Sequence, residues 1–210
     1  GKLSFVGTQF VISFVEGQRV LTPKLNFPFG DSEVDVGSSN LIDVQLFDGE
    51  LKLLSAVAGS SQYTRTTYRN VEIGYPLGAP RSTRVETDQP ITKIISGPRN
   101  ETTFVFDTQG GIRIDSNAGR VEGRTQLPQT PHLVAPLLGR YSILTATENG
   151  LAQIGLFRDS TGYLFREMRQ FDVAAKVTQI IQEPRRKGFM SLDQNGTLAL
   201  HYPTTGSTID

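Results

Sequence analysis

Seven basic residues form the two clusters of side chains with the clearest capacity for binding chemistry. They are Arg65, Arg69, Arg81 and Arg84, in a stretch rich in Ser and Thr, and Arg185, Arg186 and Lys187 further along the chain. Guanidinium forks and hydroxyl groups bind phosphate and carboxylate, so contact with an anion or a protein partner is one hypothesis for both clusters. The other, which we favour at this point, is that these side chains cover solvated strand faces and loops.

Four aspartates recur at similar places along the chain and invite an interpretation as paired catalytic carboxylates. They are Asp48, Asp107, Asp159 and Asp193. Each stands where a hairpin is expected to turn, and an Asp side chain there accepts hydrogen bonds from local backbone amides. We therefore predict a structural role in turns, and a repeated turn would also hold these acids too far apart for two-carboxylate chemistry.

Other catalytic or metal-binding patterns are missing from the sequence. The chain has no Cys, and His132 and His201 have no acidic or histidine neighbour at metal-ligand spacing. No phosphate-binding glycine loop, dinucleotide-binding glycine triplet or nucleophile-elbow serine occurs. We therefore expect no enzyme activity, no catalytic residue, no metal and no cofactor, and we expect His201 to end a strand with its ring half-exposed.

Short strands joined by tight turns account for most of the chain. Apolar residues alternate over short stretches that end at Gly, Asp or Asn, which is typical of half-buried strands. Five segments share the order strand, turn, strand, with turns at residues 16–17, 48–49, 107–110, 159–162 and 193–196. Asp48-Gly49 gives the strongest of these signals, because both positions of such a turn require positive φ.

A repeat links two of these hairpins and sets the predicted fold. Residues 92–99 and 178–185 have similar sequences 86 positions apart, as do Asp107 and Asp193. That offset equals two units of about 43 residues, within the roughly 40 to 45 residues of a four-stranded propeller blade. We predict an all-β, β-propeller-like array of antiparallel blades with about five units in a single domain over residues 1–210, and leave open whether the ring is complete.

Several segments carry expectations of their own. Residues 31–40, 75–81 and 123–131 are rich in Gly, Pro or Ser and are predicted to be loops. Residues 173–182 are predicted to contain a strand because their apolar residues are β-branched.

With 21 basic and 21 acidic residues the chain has no net charge, which argues against nucleic acid as a partner. No apolar run approaches the roughly 20 residues that cross a bilayer, so any membrane contact would come from helices outside this chain.

One segment resembles a known family. Residues 183–201, from Glu183-Pro184 through Asp193-Gln194-Asn195-Gly196 to His201, resemble the extracytoplasmic region of the long form of PstC, a permease subunit of bacterial phosphate ABC transporters. The clear resemblance covers roughly residues 173 to 209 of the chain. It implies a periplasmic domain of a larger membrane protein, tethered to the inner membrane and excised here. Its expected partners are other transporter subunits and the periplasmic phosphate-binding protein.

The resemblance supports a non-catalytic accessory domain that docks a partner or regulates phosphate transport. No substrate-binding residue of the family can be carried over to this chain. Two alternatives stay open. One is a β-propeller scaffold of the cell envelope that binds proteins and has no connection with phosphate, and the other is an enzyme that uses the central funnel of a propeller.

Overall fold

Strands make up the whole regular structure of the computed structural model. It describes residues 2–6, 9–16, 19–22, 32–71, 78–127, 129–137, 142–148, 150–182, 188–204 and 207–209. Within these ranges there are twenty β-strands, and the one helical element is the short 3-10 turn Pro98–Asn100. The described residues contain no helix that is long and apolar enough to span a membrane. The chain divides into two compact units.

The first unit comprises residues 1–108 and 116–120 and holds ten strands. They are β1 Lys2–Val6, β2 Gln9–Glu16, β3 Arg19–Thr22, β4 Ser32–Asp35, β5 Leu41–Phe47, β6 Glu50–Ala56, β7 Gln62–Tyr68, β8 Arg81–Glu86, β9 Ile91–Ser96 and β10 Thr102–Asp107. The first four form an antiparallel sheet in chain order, and β5 to β8 form another. β9 and β10 pair antiparallel.

The second unit comprises residues 109–115 and 121–210. Its strands are β11 Gly111–Ser116, β12 Val121–Gln126, β13 Leu133–Pro136, β14 Ser142–Thr147, β15 Gly150–Asp159, β16 Gly162–Phe171, β17 Val177–Gln182, β18 Phe189–Asp193, β19 Leu198–Tyr202 and β20 Ser207–Ile209. β13 to β16 and β17 to β20 each follow chain order and are antiparallel. β12 pairs with β11 and meets β16 in parallel at Gly123 and Tyr163.

These sheets confirm the predicted fold class. Consecutive antiparallel strands form three separate four-stranded sheets, β1 to β4, β5 to β8 and β17 to β20, and a four-stranded antiparallel sheet is the blade unit of a β-propeller. β13 to β16 form a fourth run of four antiparallel strands, which belongs to a larger sheet through the pairing of β16 with β12. The remaining strands form the antiparallel pairs β9–β10 and β11–β12. The prediction of one domain over residues 1–210 stays a prediction.

The five expected hairpins fall on pairs of successive strands. The Asp48-Gly49 turn has the predicted geometry, with φ of 47° and 71° at its two residues. Positive φ at both positions matches the right-handed twist of the flanking strands. The turn sets the register in which Phe47 pairs with Glu50 and Leu41 with Ala56.

The repeat predicted from the sequence is also present in the structure. β9 begins at residue 91 and β17 at residue 177, and each strand contains a bulge whose extra residue is a threonine. Thr92 Oγ1 donates to the carbonyls of Phe106 and Asp107 at 3.1 Å, and Thr178 Oγ1 donates to that of Leu192 at 3.1 Å. Bulges kept at equivalent positions are specific features of a fold. The two strand pairs are therefore copies of one unit.

Two of the predicted loops are wrong in part. Residues 32–35 of the first form β4, which pairs with β3 from Thr22–Ser32 to Arg19–Asp35. Residues 123–126 of the second lie in β12, where Arg124 pairs with Arg113 of β11. Both segments are short and polar, so pairing with a neighbouring strand makes them strands where their own pattern does not. Of the loop at residues 75–81, residues 75–77 lie outside the described residues, and Arg81 begins β8.

The apolar core lies in separate clusters within the units. In the first unit, Leu46, Leu51 and Leu53 pack with Tyr68 beside a second cluster around Leu54. The second unit has a cluster that includes the following buried residues: Leu137, Leu144, Ala146, Leu151, Phe171, Val177 and Phe189. The predicted strand within residues 173–182 is confirmed as β17, and Val177 places it in this cluster.

Candidate functional site: an arginine-lined cleft

The first unit contains an open cleft of roughly 660 Å³ beside strands β7 and β8. Its lining includes three of the arginines predicted from sequence. The polar lining residues are Glu50, Arg65, Thr67, Arg69, Asn70, Arg81, Thr83 and Asn117. The described lining contains three guanidinium groups and one carboxylate and therefore carries two net positive charges. We call this feature the arginine cleft.

Strand register explains why these arginines share one face. Side chains alternate along a strand, so Arg65 and Thr67 of β7 point to the same side. Across the ladder Arg65 pairs with Thr83 and Thr67 with Arg81, and directly paired residues also share a face. Two arginines and two threonines thus stand at alternate corners of a four-residue patch.

Arg84 lies on the other face of the same strand. It pairs with Thr64 of β7, one step out of phase with Arg81 and Arg65. The cluster predicted from sequence is therefore divided, with three arginines in the cleft and one outside it. Arg185, Arg186 and Lys187 lie outside the described residues, and their anion or partner contact stays a prediction.

Arg65 is the least exposed of the cleft arginines, with 5% of its surface accessible. Its Nη1 donates to the backbone carbonyl of Ser116 at 3.1 Å. None of the described residues supplies a carboxylate to this guanidinium. A buried charge without an opposite charge is costly, so Arg65 is set apart from an ordinary surface arginine. The expectation that this side chain covers a solvated strand face is wrong for Arg65.

Arg69 and Glu50 form the one ion pair described in the lining. Arg69 Nε lies 3.7 Å from Glu50 Oε2, and the side chains are 75% and 27% exposed. An exposed pair at this distance contributes little to stability and leaves both groups free to exchange partners. The pair therefore neutralises part of the rim and leaves Arg65 and Arg81 to set its positive charge.

Lys52 is a buried charged residue next to the cleft that sequence analysis did not identify. Its side chain is fully buried, and Nζ donates to the carbonyl of Thr102 at 2.6 Å and to Asn117 Oδ1 at 3.3 Å. Asn117 in turn lines the cleft. The positive charge of Lys52 therefore contacts the cleft lining through Asn117. The only sequence signal is a lysine within the apolar run of β6.

Both histidines contact residues of the apolar cluster in the second unit. His201 is fully buried, so the prediction of a half-exposed ring is wrong. It faces inward from β19, stacks on Phe189 with ring centroids 4.7 Å apart, and bonds Ser191 Oγ through Nε2 at 2.7 Å. His132 Nε2 lies 2.7 Å from the carbonyl of Val177. Among the described residues no three His, Asp or Glu side chains lie together in a way that would hold a metal ion.

The turn aspartates behave as predicted where their side-chain bonds are described. Asp159 Oδ1 accepts from the backbone amide of Thr161 at 2.7 Å. Asp193 Oδ1 accepts from the amides of Asn195 and Thr197 at 2.8 and 2.9 Å. These carboxylates hold the turns that begin with them, which is the local bonding typical of Asp in this position.

A second cleft, of roughly 390 Å³, lies in the second unit and has the opposite character. Its described lining includes the carboxylates of Glu167 and Asp172 and no basic residue. The apolar part of the lining includes Leu127, Leu151 and Phe171. The described lining of this cleft therefore offers no positive charge that would attract an anion.

The last sheet also presents an apolar row that sequence analysis did not identify. Ile181 pairs with Met190, Met190 with Leu200 and Leu200 with Ile209, so the row crosses all four strands from β17 to β20. Ile181 and Ile209, at the ends of the row, are 43% and 57% exposed, and Met190 and Leu200 between them are half-buried. Partly exposed apolar side chains in a row occur at protein contact surfaces.

Comparison with known proteins supports the fold and assigns no family. The sequence matches no known family model, and no curated protein matches it. Two similar solved structures are crystal structures of BBS1N in complex with ARL6DN, one soaked with lead and one with mercury, with TM-scores of 0.55 and 0.56. Each is 14% identical and matches 91% of this chain, which spans 54% and 60% of the respective chains. At this identity the likeness shows the β-propeller fold.

Proposed function

We propose that this domain is a non-catalytic β-propeller scaffold that binds a protein partner through the arginine cleft. The observation that carries the proposal is Arg65, a nearly buried guanidinium that lines the open cleft and that no carboxylate among the described residues pairs with. Interfaces favour arginine because its planar fork binds anionic groups with defined geometry and packs well. The cleft is also large enough to take up several partner side chains.

Two further observations support binding of a protein. The apolar row with Ile181 and Ile209 exposed at its ends provides a second surface of the type found at interfaces. The solved structures similar to this chain are complexes of BBS1N with ARL6DN, so a related fold serves protein binding in that case. Similarity of fold alone does not assign the same partner to this chain, so the proposal rests on the cleft.

Site-specific photo-crosslinking in the natural host tests the proposal. A benzoylphenylalanine in place of Arg69 stands at the exposed rim of the cleft, and the same residue in place of Arg84 stands on the opposite face of the sheet. We expect a discrete adduct with one protein from the first position and none from the second. Absence of an adduct from the cleft, or the same adducts from both faces, would contradict the proposal.

A narrower proposal is that the scaffold belongs to a phosphate transporter. It is supported by the resemblance of residues 183–201 to the long form of PstC, which implies a periplasmic location and a tether to the inner membrane. The partner would then be another transporter subunit or the periplasmic phosphate-binding protein. Titration with the cognate binding protein, both loaded and empty, tests this version. No interaction in either state would remove its docking form and leave the general scaffold.

A further inference from the structure

Arg65 has donor capacity that the described protein does not use. A guanidinium carries five N–H donors, and a single described bond, from Nη1 to Ser116, uses one of them. With 5% of the residue accessible, bulk water has little room to solvate the charge. A ligand group with two acceptor oxygens and a negative charge would satisfy both needs. Such a group forms parallel bonds with the guanidinium fork.

We infer that the arginine cleft receives the side-chain carboxylate of an acidic segment of the protein partner. Arg65 and Arg81 supply the positive charges for this site. This inference rests on the proposed function, because it names the chemistry by which the partner is held. The inference adds that binding of the carboxylate depends on the arginine guanidinium groups within the cleft and not on the net charge of the domain.

Strand geometry places the required groups within reach of one another. Because Arg81 pairs with Thr67, two residues along from Arg65, the two arginines are diagonal neighbours across the ladder. Such neighbours are about 7 to 8 Å apart, a distance that long side chains can span. The hydroxyls of Thr67 and Thr83 occupy the other two corners. One carboxylate can thus meet guanidinium donors while a hydroxyl beside it donates to a second oxygen.

The cleft favours a carboxylate on a chain over a small free anion. Its volume of roughly 660 Å³ greatly exceeds the space that one inorganic oxyanion fills. The 3.7 Å approach of Arg69 to Glu50 shows that a carboxylate can approach this rim.

A fluorescent hexaglutamate peptide provides the probe, and fluorescence anisotropy at low salt provides the assay. We expect Arg81→Gln to weaken binding about tenfold, the loss expected for a hydrogen-bonded charged group. Arg84→Gln removes the same charge from the same strand outside the cleft and should change binding less than twofold. Arg65→Lys keeps the charge and removes the fork, and should also weaken binding. Circular dichroism and urea unfolding confirm that each variant is folded.

Five results would bear on the inference. Equal weakening by Arg81→Gln and Arg84→Gln, or equal binding of hexaglutamine, would overturn it. Binding of inorganic phosphate without binding of hexaglutamate would overturn it in favour of a phosphate site. A cleft adduct in the crosslinking experiment without hexaglutamate binding would overturn it and leave the proposed function standing. Hexaglutamate binding that depends on Arg81 with no cellular adduct would support the carboxylate site and remove the proposed protein partner.

Discussion

Replacing Lys52 with methionine should destabilise the first unit by about 2 kcal/mol. The side chain is fully buried in β6, and its ammonium group lies between the 3-10 turn and the residues after β11. Methionine has a similar length and flexibility, so it fills most of the same space without the charge. The variant therefore measures what the ammonium contributes apart from the packing of its stem.

The magnitude follows from three described hydrogen bonds of the ammonium group. The bond to the carbonyl of Thr102 is 2.6 Å long, whereas those to Asn100 O and Asn117 Oδ1 are 3.4 and 3.3 Å and contribute less. A bond to a charged group contributes about 1.5 to 3 kcal/mol net. Neither carbonyl loses its last donor, since Thr102 O also accepts from Gly97 N at 2.8 Å and Asn100 O from Asn117 Nδ2 at 2.7 Å. Removal of a buried charge also relieves its desolvation, which keeps the expected loss near the middle of that range.

Lys52→Ala extends the same reasoning to the stem. Each buried methylene contributes about 0.8 kcal/mol, so loss of the packed stem adds roughly 2 kcal/mol and brings the total to about 4 kcal/mol. Urea unfolding followed by circular dichroism and tyrosine fluorescence measures both variants. Lys176→Met is the matched control, because Lys176 is partly exposed and pairs with an exposed Glu148. It should leave the unfolding midpoint unchanged.

Two outcomes would refute this account of Lys52. If Lys52→Met is as stable as the parent protein or more stable, desolvation of the ammonium outweighs its hydrogen bonds. If Lys52→Met and Lys52→Ala lose the same free energy, the stem is not packed as the structure shows. Either result would also remove Lys52 as a fixed charge behind the wall of the arginine cleft.

Three further predictions test other parts of the structure. Thr92→Val and Thr178→Val should each lower the free energy of unfolding by about 1 kcal/mol, since both remove the hydroxyl bond of an equivalent bulge. Urea unfolding checks this, and a large difference between them would contradict the repeat. Lys176→Gln should raise the pKa of Glu148 towards its ordinary value, since the Lys176 hydrogen bond lowers that pKa, and carbon NMR follows the titration. Because both side chains are exposed, this pair contributes little to stability, and that small contribution is present above the ordinary glutamate pKa and lost as the pH falls through the lowered value. Burial raises the pKa of Tyr68. The contribution of this group to stability is therefore present below about pH 10 and lost as the pH rises through the raised pKa. Ultraviolet titration of the parent protein, compared with that of Tyr68→Phe, measures this pKa.

Local signals in the sequence were enough to predict the hairpins and the repeat. Asp48-Gly49 specifies its turn through positive φ at two successive residues, and alternating apolar residues mark the strands on either side. The 86-residue offset extends from sequence to the bulges at Thr92 and Thr178. Strands β4 and β12 escaped prediction because their residues are polar, and only pairing with β3 and β11 defines them.

The cleft could not be predicted from local sequence patterns. Arg81 and Arg84 belong to one sequence cluster, and only the register of β7 against β8 shows that they lie on opposite faces. Burial of Lys52 and Arg65 depends on acceptors at residues 100–117, which are 48 to 65 positions away in the chain. The prediction that these arginines contact an anion or partner stays a prediction, now limited in the described residues to the three that line the cleft.

Charge reversal at two positions of β8 tests the central claim most directly. The domain with Arg81→Glu and the domain with Arg84→Glu have the same net charge, and they differ in whether the new carboxylate faces the cleft. Each would be used to recover the protein crosslinked at the cleft from host extracts, with quantification by mass spectrometry. We predict that Arg81→Glu lowers recovery at least tenfold and that Arg84→Glu leaves it close to that of the parent domain. Equal recovery by the two variants would contradict the claim that the arginine cleft is the binding surface.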